Sequence, residues 1–369
     1  MPRLAALALL VLPAALPAAD TASGKLDPAT NIRWFDVRPL GVEGQGWADT
    51  KAPFDRLPAK AEKTARPPVW NLSRHSTGLC VRFVTAAPTV HARWTVTNKN
   101  LAMPHMPATG VSGLDLYVRT PAGWRWVANG RPTDQTTTAQ LASGLAPGPK
   151  EFLLYLPLYN GVSAVEVGVP GGAAVAKADP RPADRRAPVV FYGTSITQGG
   201  CASRPGMVHT AILGRRFDRP VVNLGFSGNG TLDPDIAALL GELDAAAYVL
   251  DCLPNLTAGQ VAERTVPFVK ALRAAKPTTP IVLVEDRTYA NAAVLPALAK
   301  RNADSRAANK KAFDELVAAG DRNLHYLPGD ALIGADGEGT VDGSHPTDLG
   351  FLRQADVFAA ALEPLLARR

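Results

Sequence analysis

Cysteine is scarce in this chain, with only Cys80, Cys201 and Cys252 among 369 residues. An odd count excludes a fully paired disulfide framework. Cys201 and Cys252 both follow expected strand ends and could lie close enough to bridge, although free buried thiols are the simpler expectation. There is no Cys-x-x-Cys, no His-x-x-x-His and no glycine-rich loop ending in Lys-Ser/Thr, so neither a metal nor a cofactor is implied. No apolar run reaches the roughly 20 residues that a membrane-spanning helix needs. Blocks of positive charge are also missing: the formal net charge is +6, and the densest basic cluster, Arg181, Arg185 and Arg186, lies in a Pro/Ala-rich stretch without interleaved aromatics. That pattern argues against a nucleic-acid partner. Tryptophan is absent from the second half, all six residues falling between Trp34 and Trp126.

What is present suits a folded, soluble chain: 46% of residues are hydrophobic and 20% charged, enough apolar surface to offset the entropy of ordering. The length fits two domains. Residues 1–19 have the layout of a secretory signal, with Arg3 ahead of an apolar run from Leu4 to Leu16 and then Pro17-Ala18-Ala19. Export to the periplasm or beyond is therefore expected, with a net charge one unit lower once Arg3 is lost.

From 20 to 172 the pattern has period two. Val90, Ala92, Trp94 and Val96 alternate with polar neighbours, and Leu114, Leu116, Val118 and Val165, Val167, Val169 repeat the alternation. Turns such as Thr120-Pro121-Ala122-Gly123 punctuate the intervals, so this half is expected to be a β-sandwich. Trp94 belongs to its core on this reading. Trp124 and Trp126 share one strand face, where exposed rings would suit sugars and buried rings would be ordinary packing. Residues 173–187 carry no apolar period and read as a linker. From 188 onward, short apolar runs (Val189 to Tyr192, Val221 to Leu224, Tyr248 to Leu250, Ile281 to Val284, and the weaker Leu324 to Leu327) alternate with helical stripes. One such stripe, Ala262, Val266, Val269 and Leu272, contains Pro267, which is expected to kink or split the helix. The alternation implies an α/β fold: a flavodoxin-like, three-layer α/β/α sandwich around a parallel sheet, with its site at the strands' carboxyl ends.

Four segments fall at those ends. The first strand runs into Gly193-Thr194-Ser195-Ile196-Thr197-Gln198-Gly199-Gly200, the second into Asn223-Leu224-Gly225-Phe226-Ser227-Gly228-Asn229-Gly230 and the third into Asp251-Cys252-Leu253-Pro254-Asn255; Asp342-Gly343-Ser344-His345-Pro346 stands near the carboxyl terminus. A serine at a strand-to-turn junction is exposed at the sheet edge, and flanking glycines admit a close substrate. Together these blocks resemble the SGNH (GDSL-like) hydrolase family. The spacing agrees as well, with 33 positions from Ser195 to Gly228 and 27 from Gly228 to Asn255.

The resemblance implies an SGNH fold and a serine esterase with Ser195 as nucleophile, His345 as base and Asp342 orienting the imidazole. It also implies an oxyanion hole from the backbone N–H groups of Ser195 and Gly228 and the side-chain amide of Asn255, with Gly225 or Asn229 replacing Gly228 if the turn is shifted. Pro346 is read as the first turn of the last helix. Two departures, Thr194 where many members have Asp and Leu253-Pro254-Asn255 where Gly-x-Asn-Asp is common, bear on the subgroup. Gly113-Leu114-Asp115-Leu116-Tyr117 resembles the Gly-x-Asp-Leu-Tyr signature of the β-domain that precedes one SGNH esterase subgroup. His105, in Met103-Pro104-His105-Met106-Pro107, is a candidate substrate contact. The implied substrate is a small carboxylic ester or an acylated saccharide, most plainly an O-acetylated carbohydrate. An O-acyltransferase acting on saccharide and an inactive exported carbohydrate-binding protein are the other readings.

Overall fold

The computed structural model describes residues 22–367; the expected secretory segment 1–19 lies outside them. Among the described residues, eleven strands build the amino-terminal half: β1 (Lys25–Asp27), β2 (Ile32–Asp36), β3 (Val42–Glu43), β4 (Cys80–Thr85), β5 (Thr89–Val96), β6 (Leu114–Thr120), β7 (Gly123–Gly130), β8 (Thr136–Ser143), β9 (Lys150–Tyr155), β10 (Val162–Pro170) and β11 (Val175–Lys177). They form two antiparallel sheets in the orders β1-β2-β10-β5-β8 and β11-β4-β9-β6-β7, with β3 beside β4. The alternation read along the sequence is the packing observed: Val90, Ala92, Trp94, Val96, Leu114, Leu116, Val165 and Val167 all enter one apolar core between the sheets. Trp94 is buried, its Nε1–H donating to the Ser112 carbonyl at 3.0 Å. Trp126 is half exposed, its Nε1–H held by Asp115.

The second half contains β12 (Val189–Gly193), β13 (Val221–Gly225), β14 (Ala247–Asp251), β15 (Ile281–Val284) and β16 (Leu324–Leu327), all parallel, in the order β13-β12-β14-β15-β16. The sheet is apolar on both faces, as a doubly covered parallel sheet must be. Val189, Phe191, Val249, Val282 and Val284 face helices α4 (His209–Phe217) and α8 (Asp348–Leu366). Val190, Tyr192, Leu224, Tyr248, Leu250, Ile281 and Leu283 face α5 (Pro234–Leu240), α6 (Ala258–Ala275) and α7 (Pro296–Ala318). Pro267 does not split α6, which runs unbroken. Its buried stripe is Val261, Thr265, Phe268, Val269 and Leu272, while Ala262 faces out.

Two differences from the sequence pattern matter for the site. The segment read as a linker is anchored on both sides: β11 pairs with β4, and Arg181 is buried with Glu43 at 2.8 Å and Asp218 at 2.5 Å. The stretch between β3 and β4 gives Phe54 and Leu79 to the sandwich core, but most of its buried apolar side chains turn the other way. Trp47, Leu57, Ala61, Ala65 and, on helix α1 (Pro67–Ser73), Val69 and Trp70 pack into the core of the parallel sheet. Part of the amino-terminal half thus completes the α/β layer. Trp70→Ala should cost about 3–5 kcal/mol and lower the urea midpoint of the α/β half, read from the fluorescence and far-UV transitions of the full chain.

Candidate active site

Ser195 opens α3 (Ser195–Gln198), one turn of helix that follows β12 at the point where the strand order reverses. That reversal leaves a crevice at the carboxyl edge. As the first residue of the helix, Ser195 carries one of the N–H groups that have no intrahelical partner. Thr194 caps the turn, its Oγ1 accepting from Ile196 N at 3.3 Å, and it does so without the negative charge an aspartate would bring. Thr197 Oγ1 donates to Asp251 at 3.2 Å, and Asp251 is in turn clamped by buried Arg287. The nucleophile turn is therefore tied to the end of β14.

His345 reaches Ser195 from the loop before α8. Its Nδ1–H donates to Asp342 Oδ2 at 2.7 Å, which leaves Nε2 to accept from Ser195 Oγ at 2.7 Å. Asp342 Oδ1 accepts the backbone N–H groups of Ser344 at 3.0 Å and His345 at 2.8 Å. Partial burial would raise the Asp342 pKa, but these backbone bonds and the imidazole outweigh it and hold the carboxyl below its usual range. Gly343 has φ +91° and rests against Asn291, a position where a side chain would be strained. Gly200 matters by closeness: a Cβ there would stand 3.2 Å from the His345 ring. Pro346 lies before the last helix rather than in its first turn. The cap is Thr347, whose Oγ1 accepts from Gly350 N, and Pro346 instead bridges to Thr340.

Gly228 sits in the turn after β13 with φ +69°, and its N–H meets no hydrogen-bond partner among the described residues. The same turn is latched to the nucleophile strand by Phe226 N donating to Gly193 O at 2.9 Å. Asn255 closes a short 3-10 turn after β14. In the amide orientation that satisfies it, Oδ1 accepts from Asn229 N at 3.0 Å and Gly230 N at 3.1 Å, leaving the Nδ2 hydrogens as its free donors. A hydroxyl, a base and unspent N–H donors thus converge at one sheet edge, the equipment for acyl transfer.

The sandwich half borders this edge. His105 is exposed, its ring centroid 6.3 Å from that of His345. Its loop, which leads into the short helix α2 (Ala108–Val111), is pinned by paired bonds between Met103 and Met106, and Met106 packs with Ile196, Ala202 and Phe351. The signature residues Leu114 and Leu116 point into the sandwich, while Asp115 is buried against the second half, accepting from Arg204 at 2.6 Å and Gly206 N at 2.8 Å. Ser203, one residue before Arg204, bonds Asp348 at the start of α8, three residues after His345. Sequence reasoning quoted Asp115 as a signature but assigned it no contact. It missed the Ser203–Asp348 link altogether, because neither residue stands in a patterned motif. Cys201 and Cys252 are buried free thiols.

Residues 186–363 match the GDSL-like Lipase/Acylhydrolase family, and residues 32–175 match the N-terminus of Esterase_SGNH_hydro-type. A GDSL-like lipase from Bacteroides ovatus is 33% identical, with a TM-score of 0.86 over 91% of this chain and 98% of its own. The chain belongs to the GDSL-like lipase/acylhydrolase family and carries the Gly-x-Asp-Leu-Tyr domain of SGNH esterases. The salicylyl-acyltransferase of a tetracycline biosynthetic pathway shares the fold at 22% identity, with a TM-score of 0.72 over 95% of this chain and 98% of its own. A family two carbohydrate esterase from Clostridium thermocellum, solved with cellohexaose, does so at 15% identity, with a TM-score of 0.54 over 79% of this chain and 93% of its own. No curated protein matches the chain.

Behind the site, burial and the nearby Arg56 charge push the His75 pKa from 6.5 down to about 4. The unfolded chain therefore takes up this proton first as pH falls, so the folded state loses stability between pH 6.5 and about 4. The urea midpoint should decline over that window, and His75→Asn should flatten the decline.

Proposed function

We propose that this protein is a serine esterase that hydrolyses carboxylic esters through an acyl-serine intermediate, removing short acyl groups such as acetyl from carbohydrate outside the cytoplasm. The observation that carries the enzymatic reading is the continuous relay from Ser195 Oγ through His345 to Asp342, with 2.7 Å at each step. His345 Nε2 takes the Ser195 proton as Oγ attacks the ester carbonyl. The oxygen that becomes negative is received by the N–H groups of Ser195 and Gly228 and by Asn255 Nδ2. Collapse of the tetrahedral species breaks the bond to the alcohol oxygen, which leaves with the proton from His345. Water, deprotonated by the same ring, then attacks the acyl-serine carbon; the bond to Ser195 Oγ breaks, Oγ takes the proton back from His345, and the acid leaves.

Two features favour hydrolysis over transfer and a saccharide as the alcohol. The Asp342 and His345 side chains are 47% and 27% exposed, so water reaches the acyl-enzyme. His105 offers a second imidazole at the mouth, where it can hydrogen-bond a hydroxyl of the leaving alcohol. Export rests on the residues before 20, and the carbohydrate assignment also draws on the shared fold with the carbohydrate esterase.

A chromogenic aryl acetate tests the class. Ser195→Ala should lower kcat by roughly 10⁴–10⁶-fold, and parent activity no greater than that of the variant would refute it. Asn255→Ala should cost about 10²–10³-fold in kcat. His105→Ala should raise KM about 3–10-fold for an acetylated sugar, the value of one hydrogen bond, and leave the aryl acetate unchanged. Product analysis with a sugar acceptor present should show free acetate as the main product; quantitative transfer to sugar would assign the acyltransferase reading instead.

A further inference from the structure

Arg56 is buried to within 1% of its surface, the second-largest fully buried side chain of the described residues after Trp94. Its hydrogen bonds all go to backbone carbonyls: Nη1 donates to Asn223 at 3.0 Å and Gly225 at 2.8 Å, Nη2 to Leu72 at 2.7 Å, and Nε to His75 at 2.9 Å. The adjacent carboxylate, Asp55, is instead paired with Arg74 at 2.9 Å. Burial pushes the guanidinium pKa down to about 9, which leaves it charged at neutral pH. Buried charges ordinarily face a counter-charge. This one faces the carboxyl end of β13 and the aromatic ring of Phe226, 4.9 Å from its Cζ.

Those contacts surround the turn that presents Gly228. Arg56 holds the carbonyls of residues 223 and 225 and stacks on 226. From the other side, Gln198 Oε1 accepts from Ser227 N at 2.9 Å. Gln198 is fully buried on the nucleophile turn, and its Nε2 donates to Leu158 O at 3.2 Å and to His75 Nδ1 at 3.0 Å. Because His75 also gives its carbonyl to Arg56, the three side chains form one network around residues 223–227. Gly228 is the next residue, with its N–H unspent.

We infer that Arg56 and Gln198 are positioning residues of the oxyanion hole: they fix the 225–228 turn so that the Gly228 N–H is aimed before substrate arrives, and the unpaired Arg56 charge makes the ground beneath that turn electropositive. The inference rests on the serine esterase reading. A donor held rigid by a second layer of contacts needs no reorganisation when charge develops, whereas a donor displaced by even an ångström can cost about 100-fold in rate. Arg56 comes from the segment between β3 and β4, so the amino-terminal half supports the chemistry as well as the fold.

The test uses the full-length parent and the variants Gln198→Met, Arg56→Lys and Arg56→Met, each read for kcat and KM on an aryl acetate and for inhibition by an alkyl boronic acid, which forms a tetrahedral adduct with the serine. Gln198→Met and Arg56→Met should lower kcat roughly 10- to 100-fold, move KM less than threefold and weaken boronate binding in proportion to kcat. Arg56→Lys, which keeps the charge, should recover part of the loss. If Arg56→Met does not fold, Gln198→Met and Arg56→Lys decide the matter, since both nearly preserve volume. Variants that are less stable yet keep parental kcat and boronate affinity would show simple structural glue and overturn the inference. A parent without Ser195-dependent turnover would overturn the esterase reading and this inference with it.

Discussion

The contact between Ser195 and His345 sets the terms for everything around it. A hydroxyl at the end of the first parallel strand and an imidazole 150 positions later must stay within hydrogen-bond reach, and neither position is fixed by its own local structure. The serine sits on a single turn of helix, and the histidine stands in a partly exposed loop. What holds them is a set of long-range attachments to rigid elements, with Thr197 joined to the Asp251–Arg287 pair on one side and Ser203 joined to Asp348 on the other. Precision at the reacting atoms comes from the supporting shell.

The amino-terminal half adds a further layer to that shell. Asp115 and Thr109 grip residues 203–206, and through Ser203 they bear on the start of α8 and hence on the histidine loop. The Gly-x-Asp-Leu-Tyr stretch thus divides its residues between two tasks. Leu114 and Leu116 fill the sandwich core, while Asp115 and Tyr117 reach across the seam. Gly113 is glycine because a Cβ there would meet the carbonyls of Thr109 and Gly130 at 2.4 and 2.7 Å. A short motif on one domain is therefore understood only with the other domain in place.

Much of this was legible in the sequence because it is periodic or local. The alternation through Val90–Val96 and the apolar runs from Val189 to Leu327 specify the two sheets by the same physics that buries them, and Asp342-Gly343-Ser344-His345 encodes its own carboxylate–imidazole bond at a spacing of three. Illegible were the contacts that depend on which surface meets which. Trp47, Val69 and Trp70 carry no period that says whether they serve a sandwich or a parallel sheet; Arg56 stands in a loop without a pattern, and Gln198, at the end of α3, lies within the serine block with nothing in it to say that its amide turns inward. The stretch 173–187 looked slack from its Pro, Ala and Arg content, yet Val175 pairs in a sheet and Arg181 is neutralised by Glu43 and Asp218. Composition cannot distinguish a free tether from a stitched seam.

The residues between β3 and β4 have an evolutionary corollary. Because Leu57, Ala61, Val69 and Trp70 close one flank of the parallel sheet, the gene segments for the two halves are not interchangeable cassettes. Recombination at the seam would graft a foreign sandwich onto a hydrolase lacking one of its own walls and leave that apolar flank open to water.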